Sequence, residues 1–423
     1  MALTSLRLLA QRGIQVTFVS GDGSVEPGLS ALGIDVVPLN GIPIMAGARG
    51  SAALRGLFDN RTRGALRDWI AVHDTPRTVY HLHNWHKVLS PSIFEALRPV
   101  ASRLLMTAHD YFLVCPNGGY FLYPQGRECA HVPGGIRCLA ASCDRRHYGH
   151  KLWRFARNQV RRSLFDLTAT PATVIAVHEG MVPYLRRGDV AEDVISVLRN
   201  PVTPWRTTRV PAERNKDVFF VGRLEKDKGI DLLARAARRA GARLRVIGDG
   251  PLGQTLAEEY PEVDLLGWRS AKQIAALAAE ARMVVVPTRW RETFGLVALE
   301  ALMSGIPVIA SRFCLISDEI VRHRFGLACN PLDEVALAGA IEDLARDNDL
   351  VREMSCRAFT QARRLAPTPS EWCDALINGY ERKLSQSLPS AAGIALSASP
   401  RPLPTGAVRD AITVRSKLRE GAP

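Results

Sequence analysis

The sequence lacks any apolar run near the roughly 18 residues that a membrane-spanning helix needs. Its first twelve residues are interrupted by Arg7 and lack a small-residue cleavage site, which argues against a secretory signal. It also lacks a regular cysteine framework, because its eight cysteines are irregularly spaced. Without a secretory signal, such spacing favours reduced thiols and a cytoplasmic location.

Acidic residues are in the minority: 42 Asp and Glu stand against 55 Lys and Arg, giving a net charge of +13. This imbalance favours an anionic partner. Nucleic acid, an acidic membrane surface and a phosphorylated substrate all satisfy that condition, and charge alone does not choose among them.

The chain has 423 residues, more than one ordinary core requires, so two domains are expected. Both halves alternate helical patterns with short runs of Val, Ile and Leu, typical of parallel strands buried on both faces. The strands predicted in the first half are Ile14–Ser20, Ile34–Asn40, Thr78–Asn84, Arg103–Asp110, Thr173–His178 and Val194–Asn200. Those predicted in the second half are Val218–Val221, Arg243–Ile247, Val263–Leu266, Met283–Pro287 and Pro307–Ala310. This order predicts an α/β protein made of two Rossmann-like domains, each a doubly wound parallel sheet.

Composition suggests where these units begin and end. Two prolines within 200–204 predict a linker, and the Ser-, Ala- and Pro-rich end predicts disorder. Because Leu3–Arg12 already has a helical pattern, we expect the first domain to lack its opening strand and glycine loop. The predicted units are a first domain at 1–200, a linker at 201–216, a second domain at 217–369, a helix returning to the first domain at 370–384 and a disordered tail at 385–423.

The densest candidate site lies in 287–308, where a buried strand is followed by a polar loop and a helix beginning near Gly295. Ligands bind at the carboxyl ends of such strands. Unpaired amides at a helix N-terminus suit a diphosphate, and here they belong to Phe294, Gly295 and Leu296. Glu292 and Glu300 can accept hydrogen bonds from sugar or ribose hydroxyls; the alternative is a pair of solvated surface glutamates.

A second candidate is the basic loop that follows the strand ending at Gly222. Arg223 and Lys228 can neutralise a pyrophosphate, Arg through its planar fork and Lys as a point charge. Alone, this loop is better explained as a charged surface. Both candidate loops follow strands of one predicted sheet, which favours a shared site.

A third segment, Gly248-Asp-Gly250-Pro-Leu-Gly253, matches the G-x-G-x-x-G pattern of dinucleotide enzymes. No acidic residue ends the following strand to hold a ribose, and the segment lies in the second β-α unit of its domain. It is therefore interpreted as a glycine turn beside the nucleotide.

These three segments, in this order, resemble glycosyltransferase family 4, whose members have the two-domain GT-B fold with a cleft between the domains and retain anomeric configuration. The resemblance covers nearly all of 1–384 in organisation and is most specific over 218–310. It implies that Glu292 contacts the donor sugar and that Glu300 holds the ribose hydroxyls. It also implies that Phe294 and Gly295 form a diphosphate-binding turn and that Arg223 and Lys228 form a phosphate-binding basic pair.

In the first half, His109 follows a buried strand within a His-Asp-Tyr stretch that resembles a subset of that family. The resemblance places His109 across the cleft, near the transferred sugar; the alternative is a structural histidine. His81 and His83 share one face of another strand, which suggests metal ligands. No third ligand is evident nearby, so lining of the acceptor cleft or packing is favoured for them and for His86.

Two further features leave alternatives open. Cys115, Cys129, Cys138 and Cys143 could bind structural zinc, although separate buried thiols are favoured because no C-x2-C pair occurs. The stretch Arg145–Phe165 has seven Lys or Arg residues, no acidic residue and interleaved aromatics. It predicts either a helix on an anionic membrane surface or a solvated basic face.

These features, together with the family resemblance, which implies retention of configuration, lead us to expect a metal-independent glycosyltransferase of hexosyltransferase type that needs no cofactor. It would move a sugar from a UDP-, GDP- or ADP-sugar to a glycan or lipid-linked hydroxyl, for cell-surface polysaccharide or glycolipid synthesis. The expected location is the cytoplasm, with peripheral contact to the inner face of the plasma membrane as an option. The rivals are an epimerase or hydrolase on the same scaffold, and a truncated module that binds nucleotide or a partner without catalysis. Nucleic acid is disfavoured because the aromatics are not grouped on strands with the basic residues.

Overall fold

A computed structural model describes residues 1–23, 28–44 and 49–387 of the chain. Its strands are β1 Thr17–Ser20, β2 Asp35–Pro38, β3 Tyr80–His83, β4 Leu104–Ala108, β5 Phe121–Leu122, β6 Arg127–Glu128, β7 Thr173–Ala176, β8 Ile195–Val197, β9 Asp217–Val221, β10 Leu244–Ile247, β11 Asp264–Gly267, β12 Ala281–Val286, β13 Val308–Ser311 and β14 Gly326–Cys329. Its α-helices are α1 Ala2–Gln11, α2 Arg49–Leu57, α3 Asn60–His73, α4 Ile93–Leu97, α5 Ile136–Ala140, α6 Tyr148–Leu164, α7 Val182–Arg187, α8 Ile230–Arg239, α9 Gly253–Glu259, α10 Ala271–Leu277, α11 Leu296–Leu302, α12 Ser317–Arg322, α13 Glu334–Arg346, α14 Asn348–Gln361 and α15 Pro369–Ser387.

The second half of the chain forms a six-stranded parallel sheet in the order β11-β10-β9-β12-β13-β14. Strands β10 and β13 are buried at every position, which explains their nearly unbroken apolar sequences. Five of the six strands agree with the sequence prediction. The exception is β14, where only one of four residues is buried, so the sequence carries little strand signal.

The first half contains a four-stranded parallel sheet in the order β3-β4-β7-β8 and a separate parallel pair, β1-β2. All six strands predicted here are present. In the described part of the chain β1 does not pair with β3, so the predicted single sheet is divided into two pieces. A short antiparallel hairpin, β5-β6, was not predicted because each strand has only two residues.

The chain passes between the two halves twice, near 200–204 and near 365–369. The two passages touch, because the Val202 N–H donates to the Pro367 carbonyl at 3.1 Å. Beyond the second passage, α15 packs Trp372 and Leu376 against Leu105 of β4 and Ile175 of β7. The last helix of the second half therefore completes the core of the first half.

Helix α6 contradicts the premise of the predicted membrane contact. Three of the seven Lys and Arg side chains of Arg145–Phe165, those of Lys151, Arg157 and Arg161, are buried and do not belong to an exposed face. The Arg157 guanidinium donates to the Gly56 carbonyl at 3.0 Å and to the Leu89 carbonyl at 2.6 Å. Both suggested interpretations, a membrane face and a solvated basic face, are wrong for these three residues because they satisfy backbone carbonyls inside the protein.

The four cysteines of the first half do not form a metal site. Within the described ranges, the one group of metal-ligand atoms close enough to share an ion contains no cysteine. Burial raises the pKa of the Cys115 thiol to about 12 and that of Cys143 to about 11, which opposes the thiolate form that zinc requires. This agrees with the favoured alternative of separate buried thiols.

Most of the predicted disordered tail, 388–423, lies outside the described residues, while 385–387 end α15. No helix in the described part of the chain combines the length and the apolar composition needed to traverse a bilayer.

Candidate functional site

Three loops meet at the carboxyl ends of β9, β10 and β12. Gly229, at φ +72°, lies so close to the loop after β12 that a Cβ there would sit 2.0 Å from the Pro287 carbonyl oxygen. Gly248, at φ +140°, is equally close to the loop after β9, with a Cβ placed 1.9 Å from the Gly222 oxygen. Only glycine permits both the backbone angles and the approach. The predicted convergence of the loops containing Gly222, Lys228 and Gly248 is therefore present.

The basic loop after β9 is joined directly to the polar loop after β12. Lys228 Nζ donates to Glu292 Oε2 at 2.7 Å, and both side chains are largely shielded from solvent. The Asp227 carbonyl accepts hydrogen bonds from the Arg289 N–H at 2.9 Å and from the Thr288 hydroxyl at 3.3 Å. These contacts fix the cation and the carboxylate in one place.

Arg223 is placed differently from Lys228. Its side chain is 66% exposed and donates to Glu225 Oε1 at 2.8 Å. No hydrogen bond in the described part of the chain links Arg223 to Lys228 or to the turn at Gly295. The structure thus brings one member of the predicted basic pair into contact with Glu292 and leaves the other at the rim.

The turn before α11 is held in a single conformation. Gly295 is the N-cap at φ +82°, and no side chain caps this helix. Phe294 is buried, while Leu296 is partly exposed at the first helical position. Glu292 anchors the loop to the segment after β13: its N–H donates to the Phe313 carbonyl, and its own carbonyl accepts from the Leu315 N–H.

Glu300, on α11, is partly buried, and among the described residues its carboxylate has one hydrogen bond, from the Trp205 indole N–H at 3.2 Å. Burial raises the pKa of Glu300 to about 7, and the bond from Trp205 offsets only part of that effect. A buried carboxylate normally accepts two or more hydrogen bonds. Glu300 therefore retains capacity for further donors. Sequence reasoning missed Trp205; its one signal is a large aromatic residue inside a proline-rich linker.

His109 lies beside this site, on the first half of the chain. Its backbone carbonyl accepts a hydrogen bond of 2.7 Å from the hydroxyl of Thr293, which stands between Glu292 and Phe294. Burial is the main cause that lowers the pKa of His109, to about 4, so the imidazole is neutral at physiological pH. The end of β4 and the loop after β12 thus face one cleft.

The same loop makes further contacts with the first half that sequence reasoning missed. The Arg291 guanidinium stacks on the Tyr184 ring, with 4.2 Å between its central carbon and the ring centroid, and Trp290 lies against Gly119. Arg145 forms an ion pair with Asp227. The run Arg-Trp-Arg before Glu292 was the available signal, because three bulky side chains in one loop require a surface to cover them.

A charged cluster also bridges the two halves. Glu319 of α12 accepts two hydrogen bonds of 2.9 Å from Arg199, and its Oε1 lies 2.9 Å from His178 Nε2. Arg199 also donates to Glu179. His178, Glu179 and Glu319 are close enough to share a metal ion. Arg199 already neutralises both carboxylates, which disfavours a cation there.

Comparison with known proteins agrees with this architecture. Residues 203–361 match the family described as glycosyl transferases group 1. The chain is similar to a glycogen synthase of Mycobacterium tuberculosis, 29% identical over 36% of this chain and 40% of that protein. It is also similar to a GDP-mannose-dependent alpha-mannosyltransferase of the same organism, 31% identical over 54% of this chain and 59% of the other. The match thus spans less than two thirds of either relative.

Among solved structures, a sucrose-phosphate synthase from Thermosynechococcus elongatus superposes with a TM-score of 0.65 at 18% identity, covering 91% of this chain and 92% of the other. Anabaena HepE in complex with UDP and glucose superposes with a TM-score of 0.59 at 17% identity, covering 90% and 95%. These likenesses confirm the predicted fold. The chain has the two-sheet α/β architecture of the GT-B glycosyltransferases, and its residues 203–361 match the glycosyl transferases group 1 family.

Proposed function

We propose that this protein is a glycosyltransferase that moves a sugar from a nucleotide-diphosphate-sugar to a hydroxyl acceptor. The observation that carries the proposal is the 2.7 Å contact between Lys228 and Glu292, where three strand-end loops converge. A cation for phosphate and a carboxylate for sugar hydroxyls are the two groups that such a donor requires. The mannosyltransferase relative is named for its dependence on GDP-mannose, and HepE was solved with UDP.

The positive charge of Lys228 would stabilise a departing phosphate. Negative charge grows on the nucleotide diphosphate as the glycosidic bond breaks, and a fixed positive group stabilises it. Glu292 engages Lys228 through Oε2, which leaves Oε1 to accept a sugar hydroxyl. We assign the diphosphate to Lys228 and to the amides of Phe294, Gly295 and Leu296, with Arg223 at the rim. On this assignment no metal ion is required.

We further propose that the enzyme resembles glycosyltransferase family 4 in retaining configuration. The acceptor oxygen then bonds to the anomeric carbon on the face from which the phosphate leaves. The bond between the anomeric carbon and the phosphate oxygen of the donor breaks, and the acceptor proton passes to a phosphate oxygen of the leaving nucleotide. This route needs no protein base, in keeping with the pKa of His109, which is lowered to about 4 and makes its imidazole a weak base, and with the pairing of Glu292 with Lys228.

The proposed acceptor is a glycan or lipid-linked hydroxyl of a cell-surface polysaccharide or glycolipid, entering the cleft on the His109 side. We also propose the division of the chain into an acceptor-side unit at 1–200, a linker at 201–216 and a donor-side unit at 217–369. The returning helix α15 follows. This division is supported by the hydrogen bond from the Thr293 hydroxyl to the His109 carbonyl, which joins the loop after β12 to the end of β4.

The test is a screen of thermal stabilisation by UDP-, GDP- and ADP-sugars. We expect one class to raise the melting temperature, because a ligand that binds the folded state alone stabilises it. Lys228→Met should abolish the rise. Lys226→Met, which removes the same charge from an exposed position of the same loop, should preserve it. If no nucleotide sugar stabilises the wild type, the proposal fails; release of nucleotide without sugar transfer to any acceptor would indicate a hydrolase.

A second prediction concerns Glu300→Gln. The pKa of Glu300 lies above its ordinary value of 4.5, so its ionisation in the folded protein lowers stability as the pH rises from 4.5 through about 7. Above pH 7 the ligand-free Gln variant should be more stable than the wild type, by up to about 3 kcal/mol. Its affinity for the nucleotide should fall, because the ionised carboxylate accepts ribose hydroxyls better than an amide.

Chemical denaturation and calorimetry at about pH 8 measure these two opposite effects. Glu259→Gln, at an exposed position on α9, serves as the control and should change neither quantity. A Glu300→Gln variant that is less stable than the wild type at pH 8, or one that binds nucleotide with unchanged affinity, would contradict the assigned role.

A further inference from the structure

Two adjacent strands bring three histidines together beside the proposed sugar site. β3 and β4 are parallel, and His83 pairs in register with Thr107, two residues before His109. His83 Nδ1 lies 2.9 Å from His109 Nε2, and the two rings are stacked with an interplanar angle of 22°. A direct hydrogen bond therefore joins the two imidazoles.

The hydrogen bond between these rings contains one proton. Burial is the main cause that lowers the pKa of both His83 and His109, so both rings are neutral near pH 7. A neutral imidazole has one N–H and one acceptor nitrogen. If His109 Nε2 donates this hydrogen bond, His109 Nδ1 is an acceptor. If His109 Nε2 accepts it, His109 Nδ1 carries the proton and is a donor.

The His83 ring also contacts the ring of His81. Both nitrogens of His81 have partners, the Tyr380 hydroxyl and the Thr107 hydroxyl, each at 2.7 Å. Its ring lies 4.1 Å from that of His83, centroid to centroid. Since burial raises the pKa of Tyr380 well above its ordinary value, the phenol keeps its proton and can donate. The chain of contacts thus extends from α15 to the end of β4.

We propose that His83 is a positioning residue, which holds the His109 ring in one orientation and, through the shared proton, links its tautomer to that of His83, so that Nδ1 is the nitrogen presented to the ligand. A hydrogen bond to one imidazole nitrogen determines the role of the other. The inference rests on the proposed function, because the ligand of His109 would be the transferred sugar. It assigns His83 a role beyond the packing or cleft lining that the sequence favours.

Two substitutions of His83 distinguish the loss of its hydrogen-bonding nitrogen from the loss of its aromatic ring. His83→Phe keeps an aromatic ring against His81 but removes the hydrogen bond to His109. His83→Asn keeps a hydrogen-bonding atom near the position of Nδ1 but removes the ring. A positioning role predicts that His109 responds to the loss of the nitrogen, whereas a packing role predicts that the protein responds to the loss of the ring.

The first measurement needs no substrate. Ring ¹⁵N shifts of labelled protein, with the His109 signals assigned by a His109→Gln variant, report which nitrogen is protonated and whether Nε2 is hydrogen-bonded. We expect one neutral tautomer in the wild type, a changed His109 signal in His83→Phe and a nearly unchanged one in His83→Asn. His150→Leu, which alters another partly buried histidine of the first half, should leave His109 unchanged.

The second measurement uses sugar transfer. His83→Phe should lower kcat by about 10–100-fold, by analogy with the loss of the hydrogen-bond partner of a metal-ligating histidine. The donor KM should stay near that of the wild type, because the nucleotide is bound by other loops. A His109 signal that is unchanged in His83→Phe, or equally changed in both variants, overturns the inference. An inactive wild type with the expected spectra would instead reject the proposed function alone.

Discussion

Replacement of Gly229 by Ala is expected to destabilise the protein by at least about 3 kcal/mol and to abolish nucleotide binding. Gly229 is the N-cap of α8 at φ +72°, and an added Cβ would lie 2.0 Å from the Pro287 oxygen. The methyl group must push apart the two loops that Lys228 and Glu292 join. Urea unfolding and nucleotide titration measure the two losses.

Gly241 provides a matched control just beyond the opposite end of the same helix. It has a similar φ of +61°, but a Cβ there would meet no atom within 4 Å. Gly241→Ala should therefore show only the backbone strain, about 1–2 kcal/mol, with nucleotide binding intact. Equal losses in the two variants would mean that the close approach to Pro287 does not matter.

Glu319→Gln is the second substitution expected to have a large effect. Burial alone would raise the pKa of Glu319, but hydrogen bonds from His178 and Arg199 lower it to about 2. Because this value lies below the ordinary 4.5, the stabilisation is complete above about pH 4.5 and is lost as the pH falls towards 2. Near pH 7 the substitution should lower the free energy of unfolding by about 3 kcal/mol.

The difference between wild type and Glu319→Gln should shrink as the pH is lowered from 4.5, which unfolding curves at several pH values can measure. Glu342→Gln is the control: Glu342 pairs with the largely exposed Arg346 four residues on, so the expected change is below about 0.5 kcal/mol. A loss that does not depend on pH in the acid range would show that Glu319 acts through packing alone.

Much of the fold follows from apolar runs of the right length. Strands such as β10 and β13 are buried throughout, so their sequences contain little besides aliphatic residues. The prediction misses β14 and the β5-β6 hairpin, where few residues or little burial leave no periodic signal. It also cannot show that β1 and β2 stand apart from the larger sheet, because an apolar run does not record which other strand it pairs with.

The site was predictable in its loops but not in its individual contacts. The strand end at Gly222 and the glycines Gly248 and Gly295 indicate where the loops meet, and both Gly248 and Gly295 have positive φ. The sequence has no comparable signal for the direction in which a side chain points. Lys228 and Arg223 are equivalent by sequence, yet one faces Glu292 and the other solvent.

The basic helix illustrates the same difficulty. A run of Lys and Arg between aromatics predicts an exposed face, but α6 buries three of those residues, which donate to backbone carbonyls inside the protein. Charge counted along a sequence therefore overstates the charge at the surface. The net charge of +13 does not by itself define an anion-binding face.

The two passages of the chain between its halves have a mechanical consequence. Because the Val202 N–H is bonded to the Pro367 carbonyl, both passages form one pivot instead of two independent hinges. With α15 fastened to the first half beyond that pivot, the two halves cannot slide past each other as separate bodies. We therefore expect their relative motion to be a rotation about this point, so that the angle of the cleft changes as it opens and closes.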